Sequence, residues 1–346
     1  MDPITHAAFG MACAVAATRG RGRLRHAALA GLAGGLLPDA DVFLKSATDP
    51  LFNIEYHRHF THSLLLSPVV ALLGAGIAWL LLRLVRQRSA LLGLWLPAWV
   101  AVLSHVFCDL WTSYGTRVWW PFAETRAALH WVSVVDPLLT LPLLIAVIWG
   151  LVKTRVRPIG LGLGWVTLYL ILAIGQQQRA QRVLDAWVIA KQGQPQAWRA
   201  TVKPSFGNIL IWRALAVEGT TLHGFAIRCG LGPPTVIPGA TTPLFADAAA
   251  AAAHFGLPAD STQTDAIRRF FHFSDRWVGL HPEDPQVLAD LRYAALPNEI
   301  APMWGIRIKP EAPASSIDWV QAVQLKDRPW ATLWQMLLGR TPVADP

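Results

Sequence analysis

His105 and Asp109 stand four residues apart in an apolar stretch, Ser104-His105-Val106-Phe107-Cys108-Asp109. On a helix this spacing puts an imidazole and a carboxylate on one face, where they can chelate one ion. His59 and His62, at i and i+3, can do the same if the helix that follows them starts early. They belong to Glu55-Tyr56-His57-Arg58-His59-Phe60-Thr61-His62, three histidines and an arginine that open straight into the apolar run 63–82. Asp39 and Asp41 flank Ala40 just past Pro38, in a turn where both carboxylates can serve. His6 lies near the start of the chain. Imidazole with carboxylate suits zinc, and also manganese or iron. An ion so held activates water and polarises a scissile bond, which is hydrolytic chemistry.

Singly, these residues have plainer readings. A histidine beside hydrocarbon is usually a polar group satisfied by a neighbour. By that reading His57 is a loop residue, and Arg58 pairs with a lipid headgroup. Asp136 precedes Pro137 and caps a helix. His130 is an interface residue, and Cys108 is a small buried one.

The elements that must position them are membrane helices. Of 346 residues, 53% are hydrophobic and 15% charged, and the long apolar runs fall before residue 177. Runs at 4–18, 27–37, 63–85, 91–111, 131–152 and 159–175 predict about six transmembrane helices in a membrane domain, 1–176. Arg19, Arg21, Arg23 and Arg25, then Arg83, Arg86 and Arg88, then Lys153, Arg155 and Arg157 fill alternate loops. The intervening loops hold only Lys45, Arg58, Arg117 and Arg126. The positive-inside rule then puts the N-terminus and residues 177–346 outside the cytoplasm. His6, Asp39, Asp41, His57, His59, His62, His105, Asp109, His130 and Asp136 all fall at the outer level, although Arg and Lys alone set the orientation.

The net charge of +8 is spent in these short loops, so nucleic acid is not an expected partner. Three cysteines without CxxC spacing argue against a disulfide framework and a thiolate zinc site. The start Met-Asp-Pro-Ile-Thr-His lacks a basic n-region, so no cleavable signal peptide is expected. From Gln176 the composition turns polar. Strands are expected at 198–204, 209–217, 221–228, 277–280, 287–295 and 304–308. Helices are expected at 176–190, 242–255, 261–273 and 329–338. Residues 177–346 therefore read as a soluble α+β domain.

Thr5-His6 with Gly10, Leu37-Pro38-Asp39-Ala40-Asp41, His57-Arg58-His59-Phe60-Thr61-His62-Ser63 and His105-Val106-Phe107-Cys108-Asp109 resemble the membrane-bound metal-dependent hydrolases of the YdjM type. The resemblance covers about residues 1–176. It implies a polytopic enzyme of the bacterial inner membrane with a divalent metal, and it defines no substrate. A more distant similarity is to zinc-dependent phospholipase C and P1-type nucleases, whose ligand order His6, Asp41, His62, His105 and Asp109 follow. Their later HxxxE pair has no match here, so one or two ions are expected rather than three.

The expected ligands are therefore His6, Asp41, His59, His62, His105 and Asp109, with zinc the favoured ion. Asp39 is expected to orient water or bridge two ions, and Arg58 to neutralise an anionic substrate. The expected reaction is hydrolysis of a phosphoester on a lipid or lipid-linked molecule. The alternatives are an esterase or amidase, and a non-catalytic protein whose metal only clips helices together.

Overall fold

Asp2 starts the first helix. Its Oδ1 accepts from the amides of Ile4 (3.0 Å) and Thr5 (3.1 Å), with Pro3 at the first helical position. This is α1, Pro3–Ala17. α2, Leu24–Leu36, packs along it through small residues. A Cβ on Gly10 would fall 2.6 Å from the Gly31 carbonyl oxygen, and one on Gly35 would fall 2.6 Å from that of His6. Pro38 ends α2 and opens a 3-10 helix, Pro38–Phe43. A short α3, Phe52–Tyr56, and a single 3-10 turn, Phe60–His62, follow.

α4 (Ser67–Leu84) and α5 (Leu91–Trp111) pack on α2 through Ala30, Ala71, Ala75, Ala78, Leu94, Ala98 and Val102. α6 is Pro137–Lys153, capped by Asp136, and α7 is Val156–Gln192. The computed structural model describes residues 1–18, 23–192, 198–321 and 329–340; Arg19 and Arg21 of the first basic turn lie outside the described residues.

Among the described residues three helices are long and apolar enough to cross a bilayer: Ser67–Leu84, Leu91–Trp111 and Val156–Lys191. Leu73, Leu80, Leu92, Ile145, Leu161 and Ile171 are exposed on α4 to α7, as lipid-facing positions would be. The six expected crossings thus reduce to three full-length ones. α1 and α6 are apolar but hold only 15 and 17 residues. α6 is shorter than its apolar run because Asp136-Pro137 fixes its start. α2, with 13 residues, is cut by Pro38. The predicted helices at 159–175 and 176–190 are one helix, α7.

The chain divides into two compact units. One comprises Met1–Leu44, Tyr56–Gly175 and Phe206–Asn208. The other comprises Lys45–Glu55, Gln176–Ser205 and Ile209–Pro346. The second unit contains two four-stranded antiparallel sheets. The first sheet runs β1 (Arg199–Pro204), β2 (Ile211–Glu218), β3 (Thr221–Arg228) and β4 (Thr235–Pro243), in that order. The other runs β5 (Val278–His281), β6 (Asp284–Asp290), β7 (Trp304–Arg307) and β8 (Asp318–Gln321).

Helices α8 (Ala248–His254), α9 (Thr262–Phe273) and α10 (Pro329–Leu337) complete it. Leu215, Leu222, Trp277, Ala289 and Leu291 form a shared core. β4 and β8 were not expected. β4 carries Pro238 and Gly239, which read as turn residues, and proline is tolerated because β4 is an edge strand. Residues 242–247, expected to be helical, instead finish β4 and lead to the Asp247 cap of α8.

Candidate metal centre

Four side chains from three elements converge. Asp39 comes from the 3-10 helix after α2, His62 from the 3-10 turn before α4, and His105 and Asp109 from one face of α5. His62 Nε2 lies 3.0 Å from His105 Nε2, 3.4 Å from Asp39 Oδ1 and 3.2 Å from Asp109 Oδ2. His105 Nε2 lies 3.5 Å from Asp39 Oδ1 and 3.6 Å from Asp109 Oδ2. Ligands about 2.1 Å from a tetrahedral ion stand about 3.4 Å from one another. The five spacings are those of one coordination shell.

The electronics agree with the spacing. His105 Nδ1 lies 2.7 Å from the Gly35 carbonyl, which can only accept. The ring proton is therefore on Nδ1, and Nε2 turns a lone pair to the centre. His62 Nδ1 faces Thr61 Oγ1 at 2.9 Å and Asp41 Oδ2 at 3.4 Å, leaving its Nε2 for the centre too. Asp39 Oδ1 is buried without a hydrogen-bond donor among the described residues, and Asp109 Oδ2 accepts no hydrogen bond although the Arg58 guanidinium pairs with it. Lone pairs brought together in this way repel one another unless a cation or protons lie between them, so the donor set fits a divalent ion.

The glycine approach of α1 to α2 brings His6 beside this group, outside the four. Its Nε2 is 3.2 Å from Asp109 Oδ1 and 3.7 Å from Asp39 Oδ2, and its ring stacks on His105 at 3.6 Å. The Met1 amino group lies 2.7 Å from His6 Nε2 and contacts Asp109.

Arg58 is buried and turned inward. Its Nε lies 3.0 Å from Asp109 Oδ2, and its Nη1 donates to Thr112 Oγ1 at 3.1 Å. It holds Asp109 rather than facing solvent.

Asp41 is outside the group of four. Its Oδ2 accepts from the Arg58 amide (3.0 Å) and Thr61 Oγ1 (2.6 Å), and its Oδ1 lies 2.7 Å from His57 Nδ1. Residues 57–61 wrap around this one carboxylate, with Arg58 in the left-handed region at φ 61°. Asp39, Asp41 and His57 make a second group able to hold an ion. His57, expected as a loop residue, belongs to this group. Thr61, a short hydroxyl among histidines, was the available signal that the segment folds back on a carboxylate.

His59 joins neither group. It points at Glu124 (4.0 Å) with its ring by Trp120, and burial together with the Arg117 charge holds it toward the neutral imidazole. The expected i, i+3 pairing of His59 with His62 needed a helix from residue 59. The chain instead makes one 3-10 turn, and α4 starts only at Ser67-Pro68. Asp136 caps α6 and accepts the Tyr169 hydroxyl on both oxygens, at 2.9 and 2.8 Å. Neither Asp136 nor His130 enters a metal-ligating group among the described residues.

The chain is 34% identical over 179 residues to the uncharacterized protein YfhP of Bacillus subtilis (strain 168), covering 50% of this chain and 51% of that one. It is 37% identical over 106 residues to the inner membrane protein YbcI of Escherichia coli (strain K12), covering 30% of this chain and 57% of that one. The chain thus spans about half the length of the curated relatives it matches. No solved structure matches it. Residues 1–180, which contain every side chain of the converging group, match the profile of the YdjM inner membrane protein family, and the chain belongs to that family.

Proposed function

We propose that this protein is a membrane-bound metal-dependent hydrolase with its centre at the outer membrane face, acting on a phosphoester of a lipid or lipid-linked substrate. The observation that carries the reading is the set of five spacings from 3.0 to 3.6 Å among Asp39, His62, His105 and Asp109. Imidazole and carboxylate without thiolate favour zinc, with manganese or iron as substitutes. A divalent ion there supplies Lewis-acid polarisation and water activation.

The chain's own residues do the rest. Gly35 and Asp41 orient His105 and His62. Arg58 balances Asp109, leaving a carboxylate aimed at the centre. Asp39, the most exposed of the four at 23%, marks the side where water and substrate enter and can orient the water. A centre at the headgroup level suits a substrate that approaches laterally without leaving the bilayer. Alternation of basic loops supports placing the second unit outside the cytoplasm.

A structural clip is the second reading, favoured by the zero exposure of the His62, His105 and Asp109 side chains. Purified protein in detergent is assayed against phospholipids, polyprenyl phosphates, carboxylic esters and peptides, with and without chelator. Chelator-sensitive release of phosphate or a phosphorylated headgroup is expected. Ester or peptide cleavage alone replaces the phosphoester. Inactivity on every class with metal tightly bound selects the clip. Reporter fusions after Gln178 test the orientation, and cytoplasmic-type activity there overturns it.

A further inference from the structure

We propose that the centre holds two ions, the second bound by His57, Asp41 and Asp39, with the Asp39 carboxylate shared between them. This rests on the metal-hydrolase reading above and deepens it. The three side chains each offer a ligand atom, all within 4.8 Å of one another. His57 Nδ1 and Asp41 Oδ1 stand 2.7 Å apart, a hydrogen bond whose proton a cation would displace.

Asp41 divides its work. Oδ2 is taken by the Arg58 amide and Thr61 Oγ1, and this fixes the direction in which Oδ1 points. Asp39 is common to both groups, and its Oδ1 is buried without a hydrogen-bond donor among the described residues. As the one side chain that belongs to both groups, Asp39 is the carboxylate that could serve two cations at once. The left-handed backbone at Arg58 turns His57 toward Asp41 while Arg58 itself turns to Asp109, so one strained residue serves both groups.

The two positions differ in access. The side chains of His62, His105 and Asp109 have no exposure, whereas His57 and Asp39 are 22% and 23% exposed. The inner ion has four protein ligands with His6 beside them. The outer ion has three and keeps open positions toward solvent, the arrangement of a site that exchanges ligands. Two ions held by these residues would supply the charge stabilisation that an in-line displacement at phosphorus needs. The substrate class this favours is a phosphate ester or anhydride.

The full chain in detergent is stripped with chelator and titrated with zinc, then manganese, following stoichiometry by elemental analysis and calorimetry. Two ions per chain with separate affinities are expected. His57→Ala and His57→Asn each should retain one, the tighter. The asparagine variant keeps a donor to Asp41 and so guards against a simple folding defect. Manganese-loaded wild type should give the paramagnetic resonance of a coupled pair, and His57→Asn that of an isolated ion. Saturation of wild type at one ion, two ions in His57→Asn, or loss of both ions from a folded His57→Asn overturns the proposal. One ion with chelator-sensitive hydrolysis overturns the second ion alone. No ion in wild type brings down the hydrolase reading as well.

Discussion

Two buried charge clusters in this molecule are built oppositely. In the second unit Asp290, fully buried, is saturated with donors. Arg292 reaches its Oδ1 from the backbone amide (3.1 Å) and Nε (2.9 Å), and its Oδ2 from Nη2 (2.7 Å), while Trp304 Nε1 adds 3.2 Å. In the first unit Asp39 Oδ1, buried without a hydrogen-bond donor among the described residues, faces the Nε2 atoms of His62 and His105, and Asp109 adds the Arg58 guanidinium and the Met1 amino group to the same two imidazoles. A saturated carboxylate is a strut, because nothing remains for a ligand to satisfy. A carboxylate aimed at other acceptors is a site. Burial alone does not separate the two, for both aspartates, Asp109 and Asp290, have zero exposure.

The sharpest way to break this contrast is to remove a ligand. His105→Ala and Asp109→Ala should each lose most of the bound metal, measured by elemental analysis of folded protein. His59→Ala, outside the group, should keep it. Equal retention in all three variants would erase the distinction between the clusters. The next effect is on stability. Asp290→Asn leaves the Arg292 charge buried without its partner, which costs about 3–5 kcal/mol. Hydrogen exchange across β5, β6 and β7 should speed up accordingly while metal per folded chain stays constant.

The smallest effect is a slope. Lys203 on β1 lies directly across from Arg213 on β2 and above the Tyr293 ring at 5.5 Å. Burial, reinforced by the Arg292 charge, pushes its amine down to about 7. Between pH 7 and about 10.4 the unfolded chain then carries one more proton than the folded one. Stability of the second unit should therefore rise with pH in that window, by up to about 1.4 kcal/mol per unit, and be flat from this group below it. Lys203→Met should abolish the rise, read from exchange rates in β1 and β2 at a series of pH values.

What was legible in the sequence followed from periodicity and from residues one turn apart. α5 was expected and found at Leu91–Trp111, and with it the shared face of His105 and Asp109. β1, β2, β3 and α9 were also visible, since their alternation or amphipathic spacing is local. The partition among His57, His59 and His62 was not. It depends on the left-handed turn at Arg58, which is stabilised by the Asp41 carboxylate sixteen residues or more away, and no local pattern encodes that. Helix length was misjudged where Pro137 cut the apolar run 131–152, whereas the end of α2 at Pro38 was visible. β4 was hidden because an edge strand tolerates the proline that elsewhere marks a turn.

Gly35 joins two requirements in one atom group. Its Cα must come close to the His6 backbone for α1 and α2 to dock, and its carbonyl receives the His105 proton that turns Nε2 inward. Donor alignment at His105 therefore depends on the docking of α1 on α2. If an ion binds, its retention would report whether the two helices have met. A side chain at Gly35 would push α1 off α2 and turn the His105 ring together, so packing and donor alignment fail at one position.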